Sequence, residues 1–275
     1  MKDGADQAAP SGVESAVAGW LPVVLQFADE ARGLSLAGFR QGGAVERKAD
    51  GSPVTAVDRD VEALLRSRLA RHWPSHGFVG EESGRRQGQG GFTWYVDPVD
   101  GTRSFVCGVP LWGTLIGLLQ GDRPVLGVLD MPALDERWHA VQGGAAWYCE
   151  GRTAPRVCST SSCTELAQAR ACLFEPEVAD VSTSAAAQRL AQHCALSRRG
   201  GDCYAYGLLA SGCVDLVVEV GLAPYDVLPL VPIVEAAGGV VRDWHGRPLG
   251  PDMGPCVIAA AREPLLEAAV AVLRD

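Results

Sequence analysis

The chain has 275 residues, 47% apolar and 21% charged, the proportions of an ordinary globular protein with room for one large core or two packed subdomains. Acidic residues outnumber basic ones 33 to 24, and a formal net charge of −9 repels nucleic-acid phosphate, excluding a polynucleotide partner. It would repel a small phosphate ester as well, unless cations are bound where the ester must sit.

In chain order, residues 1–12 are polar and Gly/Ala-rich and read as a disordered lead. Residues 13–31 form a first helix that either kinks at Pro22 or takes it into its first turn. Asp50-Gly51-Ser52-Pro53 is a turn. A second helix starts at Thr55, which stands to Asp58 as an N-cap to its third-position acid. Val57, Val61, Leu64, Leu65 and Leu69 supply its apolar stripe, with Arg66 and Arg68 outside it, and Trp73-Pro74 ends it.

Residues 77–80 read as a short strand delivering Glu81-Glu82, and residues 85–91 as a mobile loop. Residues 92–96 form a buried strand that stops at Asp97-Pro98. Residues 111–119 and 125–129 pair around Gly121-Asp122-Arg123-Pro124, and residues 137–141 continue the sheet. Composition shifts to Ser/Thr/Arg at residues 151–162, dividing the chain into subdomains 1–150 and 151–275. Beyond it come a strand at 171–174, helices at 182–194 and 204–211, a strand at 214–219, a helix with two prolines at 227–237, a strand at 256–260 and a closing helix at 264–273. Mixed strands and helices argue α/β layers.

No apolar run approaches the ~20 residues needed to span a bilayer, and no secretory signal opens the chain. The nine cysteines, without a Cys-x-x-Cys pair, suit neither a disulfide framework nor a zinc knuckle. Most, such as Cys172 and Cys213, read as small buried hydrophobes, so the expected compartment is reducing and cytoplasmic, without membrane partners. The five histidines read as surface or packing residues, Trp94 and Trp147 as core, and Arg198-Arg199 as a solvated loop, with contact to phosphate or to a dimer partner the alternative.

Three acidic elements each end a strand or open a helix: Gly80-Glu81-Glu82, Asp97-Pro98-Val99-Asp100-Gly101-Thr102 and Pro224-Tyr225-Asp226. Alone, they read as a solvated pair, a turn and a helix cap, with Asp58 the acid of a capping box. Together they offer hard oxygen ligands. Pro98 stops the strand, Val99 can turn its carbonyl inward beside Asp97 and Asp100, and Gly101 permits close approach of an anion to the Gly101 and Thr102 amides. Carboxylates with a carbonyl suit Mg²⁺, which leaves positions for water and substrate oxygens.

These segments, with Trp94-Tyr95-Val96 before the second and Glu235-Ala236-Ala237-Gly238-Gly239 after the third, resemble the signature motifs of the inositol monophosphatase family. The resemblance runs from about Asp50 to Gly246. It implies a layered αβαβα sandwich, a homodimer and two or three Mg²⁺ ions. It implies that Glu81, Asp97 and the Val99 carbonyl hold one ion and that Asp97, Asp100 and Asp226 hold a second. Glu81 and Thr102, with Asp58 behind them, then hold the attacking water. Most ligands fall in 1–150, with Asp226 and the specificity residues in 151–275.

Arg103-Ser104-Phe105, Trp112-Gly113-Thr114, Gly200-Gly201-Asp202-Cys203-Tyr204 and Asp243-Trp244 resemble the histidinol-phosphatase branch, while Arg199 and Leu228-Pro229 depart from it. A histidinol ester carries an ammonium and an imidazole, so its pocket needs carboxylates, and Asp202 and Glu219 are the candidates. Arg103 would steer phosphate or pair with Asp202. The residues expected at the ester are Asp100, Gly101, Thr102, Arg103, Asp202, Glu219 and Asp226. The leading expectation is a Mg-dependent histidinol-phosphate phosphatase of histidine biosynthesis. The alternatives are a broad inositol-phosphate or nucleotide-3′-phosphate phosphatase, and a catalytically idle binding protein, whose mark would be a lost ligand.

Overall fold

The computed structural model describes residues 12–42, 44–48, 53–175 and 179–274; most of the expected lead and Asp50, Gly51 and Ser52 of the first turn lie outside them. Helix α1 is Gly12–Gly38, followed by strands β1 (Val45–Arg47) and β2 (Pro53–Thr55) and helix α2 (Ala56–His72). Then come β3 (Gly77–Gly80), β4 (Gly84–Arg86), β5 (Phe92–Asp100), α3 (Thr102–Cys107), β6 (Gly113–Gln120), β7 (Arg123–Met131), β8 (Glu136–Val141), β9 (Ala146–Glu150) and β10 (Arg156–Val157). The rest is β11 (Arg170–Leu173), α4 (Val181–His193), β12 (Leu196–Arg199), α5 (Asp202–Ala210), β13 (Leu216–Glu219), α6 (Pro224–Val227), α7 (Val231–Ala236), β14 (Val240–Asp243), β15 (Val257–Ala260) and α8 (Glu263–Arg274).

The strands form an eight-stranded sheet, β10-β9-β8-β7-β6-β5-β3-β4, and a five-stranded sheet, β12-β11-β13-β15-β14, besides the β1–β2 pair. Alternation along each strand sorts side chains between two faces. Trp94, Val96, Ile116 and Leu118 pack beneath α1 and α2 with Phe27, Val61 and Leu65. Tyr95, Leu115, Leu119 and Leu129 point the other way, onto Tyr206, Val227, Ile233 and Val234 of the middle helices and Val217 and Ala259 of the smaller sheet. That sheet's outer face, with Leu216, Val218 and Ile258, is covered by Leu190 of α4 and Leu266 and Val270 of α8. The order is helix, sheet, helix, sheet, helix, and burial on both faces explains why β5, β6 and β7 read as nearly unbroken apolar runs.

Several boundaries differ from expectation. Pro22 lies well inside α1, not in its first turn, and α1 continues past Ala31 to Gly38. The expected loop at 85–91 contributes Arg85 and Arg86 to β4, paired antiparallel with β3. The expected helix at 227–237 is split into α6 and α7, with Pro229 in the break. Pro229 lies against two sheet glycines: a Cβ on Gly127 would come within 1.9 Å of the Pro229 carbonyl oxygen, and one on Gly117 within 2.8 Å of its Cα. The break therefore seats the middle layer on the sheet, and Leu228 beside it is fully buried. Cys172 is buried but Cys213 is exposed, and Trp94 is buried while Trp147 on β9 is 37% exposed. Arg198 and Arg199 belong to β12 rather than to a loop, because Leu196–Arg199 pairs in parallel with Arg170–Leu173.

α1 is tied to the large sheet by charge as well as by apolar contact. Asp130 on β7, fully buried, takes Arg32 of α1 at 2.7 Å and Arg137 of β8 at 2.6 Å. A buried carboxylate left without these partners would cost several kcal/mol, about 3–5 by analogy with other broken buried pairs.

Candidate metal centre

Pairing of β5 with β6 is regular to Asp97 opposite Leu115, then shifts register and resumes at Asp100 opposite Gly113. The strand thus passes through Pro98 instead of stopping there, because the shift absorbs the missing amide donor. The Pro98 carbonyl accepts the Thr114 hydroxyl at 2.8 Å, and the Val99 amide donates to Asp97 Oδ1 at 2.9 Å. Gly101, at φ +82°, then opens α3. An added Cβ there would meet the Leu111 carbonyl at 2.9 Å and the Asp202 carboxylate at 3.1 Å, so both backbone and space call for glycine.

Carboxylate oxygens of Asp97, Asp100 and Asp226 all lie within 4.8 Å of one another. Asp226, in the first turn of α6, also accepts the Ala223 amide at 2.8 Å, and Asp100 accepts the Cys203 amide, at the start of α5, at 2.7 Å. Asp226 therefore both caps its helix and faces the cluster. Burial, then the charges of Glu81, Asp100 and Asp226, pushes Asp97 well above the usual carboxylate range. Burial, then Asp202 and Asp226, does the same to Asp100, and Asp226 is pushed up, chiefly by burial, to about 7.

Glu81 follows β3, lines the same cavity and adds its charge to Asp97. Lys48 Nζ lies 2.6 Å from Glu81 Oε1 and also pairs with Glu82. Sequence reasoning missed Lys48, although it is one of only two lysines in the chain, against 22 arginines. Behind the cluster, Asp58 takes the Thr55 amide at 3.0 Å and the Thr55 hydroxyl, as a capping acid does. Its other oxygen is 3.4 Å from Thr102 Oγ1, which also lies 3.0 Å from the Val99 carbonyl oxygen. The structural and the chemical readings of Asp58 thus coexist.

A cavity of about 460 Å³ is lined by the carboxylates, by Gly101, Thr102 and Arg103, and by Asp202 and Glu219. Asp202 has φ +44° and Glu219 ends β13. Burial, then the charge of Asp202, pushes Glu219 up to about 8, while the Tyr206 hydroxyl offsets part of the rise. Burial and Glu175 raise Asp202, partly offset by Arg103 and Arg198. Arg198, Arg199 and Glu175 also line the cavity; sequence reasoning preferred a solvated loop for the two arginines over a phosphate contact and did not single out Glu175. Arg199 is engaged with the Phe174 carbonyl at 3.0 Å and the Gln188 side chain.

The donor set fits hard divalent cations. Three mutually repelling carboxylates, with Glu81 alongside, are held together where burial disfavours their charge, and oxygen-ligated cations such as Mg²⁺ neutralise such a set. Among the described residues no helix is long and apolar enough to cross a membrane.

The model of the inositol monophosphatase family matches residues 21–275. The chain is 41% identical over 211 residues to the chloroplastic bifunctional phosphatase IMPL2 of Arabidopsis thaliana, covering 76% of this chain and 60% of that protein. It is 35% identical over 230 residues to a histidinol-phosphatase of Chlorobaculum parvum, covering 82% and 86% of the two chains. A solved inositol monophosphatase from Zymomonas mobilis superposes with a TM-score of 0.84 at 36% identity, covering 97% of this chain and all of the other.

Proposed function

Because the chain belongs to the inositol monophosphatase family, whose members are metal-dependent phosphatases, we propose that this pocket hydrolyses histidinol phosphate. The observation that carries the reading is a second pair of acids, Asp202 and Glu219, lining the same cavity as Asp97, Asp100 and Asp226. The named relatives fall on both sides of the substrate question, at 35% and 36% identity, so pocket chemistry must decide it.

Glu81, Asp97 and the Val99 carbonyl would hold one Mg²⁺, and Asp97, Asp100 and Asp226 a second, with a third ion left open. Such ions supply Lewis acidity toward the phosphoryl oxygens, a lowered pKa for bound water and compensation of the leaving alkoxide's charge. Thr102 directs its hydroxyl hydrogen toward the Val99 and Asp58 oxygens, which leaves an Oγ1 lone pair free to accept a hydrogen from the attacking water. Glu81 holds the water's other side, and Asp58 fixes Thr102 from behind. Gly101 and Thr102 border the phosphate, with Arg103 steering it or offsetting Asp202. Asp202 and Glu219 take the substrate's ammonium and imidazole. No side chain forms a covalent bond to phosphorus.

Residues 1–150 then form the subdomain that carries most metal ligands and 151–275 the one that supplies Asp226 and reads the alcohol, in a homodimer whose mass sedimentation of the intact chain would give. A reducing compartment, cytoplasm or plastid, accords with nine unbridged cysteines. The test is phosphate release from a panel of esters. The expected result is Mg²⁺-dependent turnover with kcat/KM for histidinol phosphate at least about 10²-fold above that for inositol 1-phosphate, the scale of a desolvated charge contact. Equal turnover would favour the broad phosphatase, and none at all the idle protein.

A further inference from the structure

Two buried acids lie one turn apart on α2: Asp58, which reaches Thr102, and Glu62, which the mechanism above does not use. Glu62 is 1% exposed, and both its oxygens are engaged. Oε2 accepts the Glu82 amide and Oε1 the Ser83 amide, each at 2.7 Å. These amides belong to the tight turn between β3 and β4, the turn that carries Glu81. Gly80, on the other side, makes room for the contact: an added Cβ would lie 2.5 Å from the Glu62 carboxyl carbon and 2.5 and 2.6 Å from its oxygens. The Glu81 amide in turn donates to the Val96 carbonyl at 3.3 Å, one residue before Asp97.

We propose that Glu62 is a positioning residue for the metal centre, pinning the Glu81–Ser83 turn so that the Glu81 carboxylate faces Asp97. It rests on the reading of Glu81 as a ligand. A short turn has many orientations, and two charge-assisted hydrogen bonds to successive amides remove most of them, in addition to the pairing of Lys48 with Glu81 and Glu82. α2 thereby holds both sides of the centre, with Asp58 setting Thr102 and Glu62 setting Glu81. Groups of this kind, one bond removed from the ligand, commonly change metal affinity ten- to a hundredfold when lost.

The test is a calorimetric Mg²⁺ titration of the intact chain as wild type, Glu62→Gln, Gly80→Ala and the double variant, with thermal melts of the metal-free proteins. Gln is isosteric but replaces one acceptor by a donor facing an amide; Gly80→Ala keeps the carboxylate and only displaces it. Each single variant is expected to bind Mg²⁺ about tenfold more weakly, with kcat at saturating Mg²⁺ within a few-fold of wild type. The double variant should weaken binding little further, because both changes break the same contact. A lowered melting temperature with wild-type Mg²⁺ affinity would make Glu62 merely structural and overturn the proposal, as would failure of both single variants to fold. A wild type that binds Mg²⁺ yet hydrolyses no ester would defeat the phosphatase reading alone and leave Glu62 standing.

Discussion

Asp97→Asn yields a folded protein that releases phosphate at least about 10³-fold more slowly than wild type, equivalent to roughly 4 kcal/mol of lost transition-state stabilisation. Asp97 is the one carboxylate shared between both proposed ion sites, so its neutral replacement weakens both. In the metal-free protein the same change should stabilise. Folding raises the proton affinity of Asp97, Asp100 and Asp226, because burial disfavours the charge of all three and neighbouring acids add to it: Glu81, Asp100 and Asp226 on Asp97, Asp202 and Asp226 on Asp100, and Glu81 on Asp226. With folded values above unfolded ones, stability is highest below the ordinary carboxylate range and falls as pH rises toward the raised values, about 7 for Asp226. In chelator, the wild-type melting temperature should drop between about pH 5 and pH 8, and Mg²⁺ should restore it by binding the folded state alone. Asp97→Asn should show a shallower drop and little rescue. Activity near wild type, or full rescue by Mg²⁺, would remove Asp97 from its central place.

Glu219→Gln should cost about 10²-fold or more in kcat/KM for histidinol phosphate while changing inositol 1-phosphate turnover only a few-fold. Glu219 is pushed up to about 8 because burial and Asp202 disfavour its charge, which a cation placed beside it would favour. A substrate ammonium or imidazolium supplies that cation; a neutral hydroxyl does not. Asp202→Asn should show the same selectivity at smaller magnitude, because Arg103 and Arg198 already offset part of the Asp202 charge. Asparagine tolerates the positive φ at this position, so the substitution tests charge rather than backbone. Equal losses on both esters would make the two acids scaffold rather than a subsite for a cation.

The parts of this molecule that were legible in the sequence are those where local chemistry and tertiary role coincide. Thr55 and Asp58 announce a capping box, and the fold uses the same acid to reach Thr102. Asp97-Pro98-Val99-Asp100-Gly101 announces a disruption of pairing beside its carboxylates, which the structure meets with a register shift inside β5 and not with the expected end of the strand. What sequence could not supply were relations between distant segments. Glu62 looks like any helix glutamate until β3 and β4 place two amides against it, and Gly80 reads as a strand residue until Glu62 occupies its Cβ position. Arg198 and Glu175 enter the cavity only because β12 pairs with β11. The break between α6 and α7 needed Gly117 and Gly127 beneath Pro229 to be understood, and the lone pattern of 227–237 favoured one helix.

Diffraction from crystals soaked in Mn²⁺, recorded for the metal's anomalous signal, puts the central claim to its most direct trial. Strong peaks are predicted between Glu81, Asp97 and the Val99 carbonyl, and between Asp97, Asp100 and Asp226. Crystals showing no ion at these oxygens under saturating Mn²⁺ would contradict it.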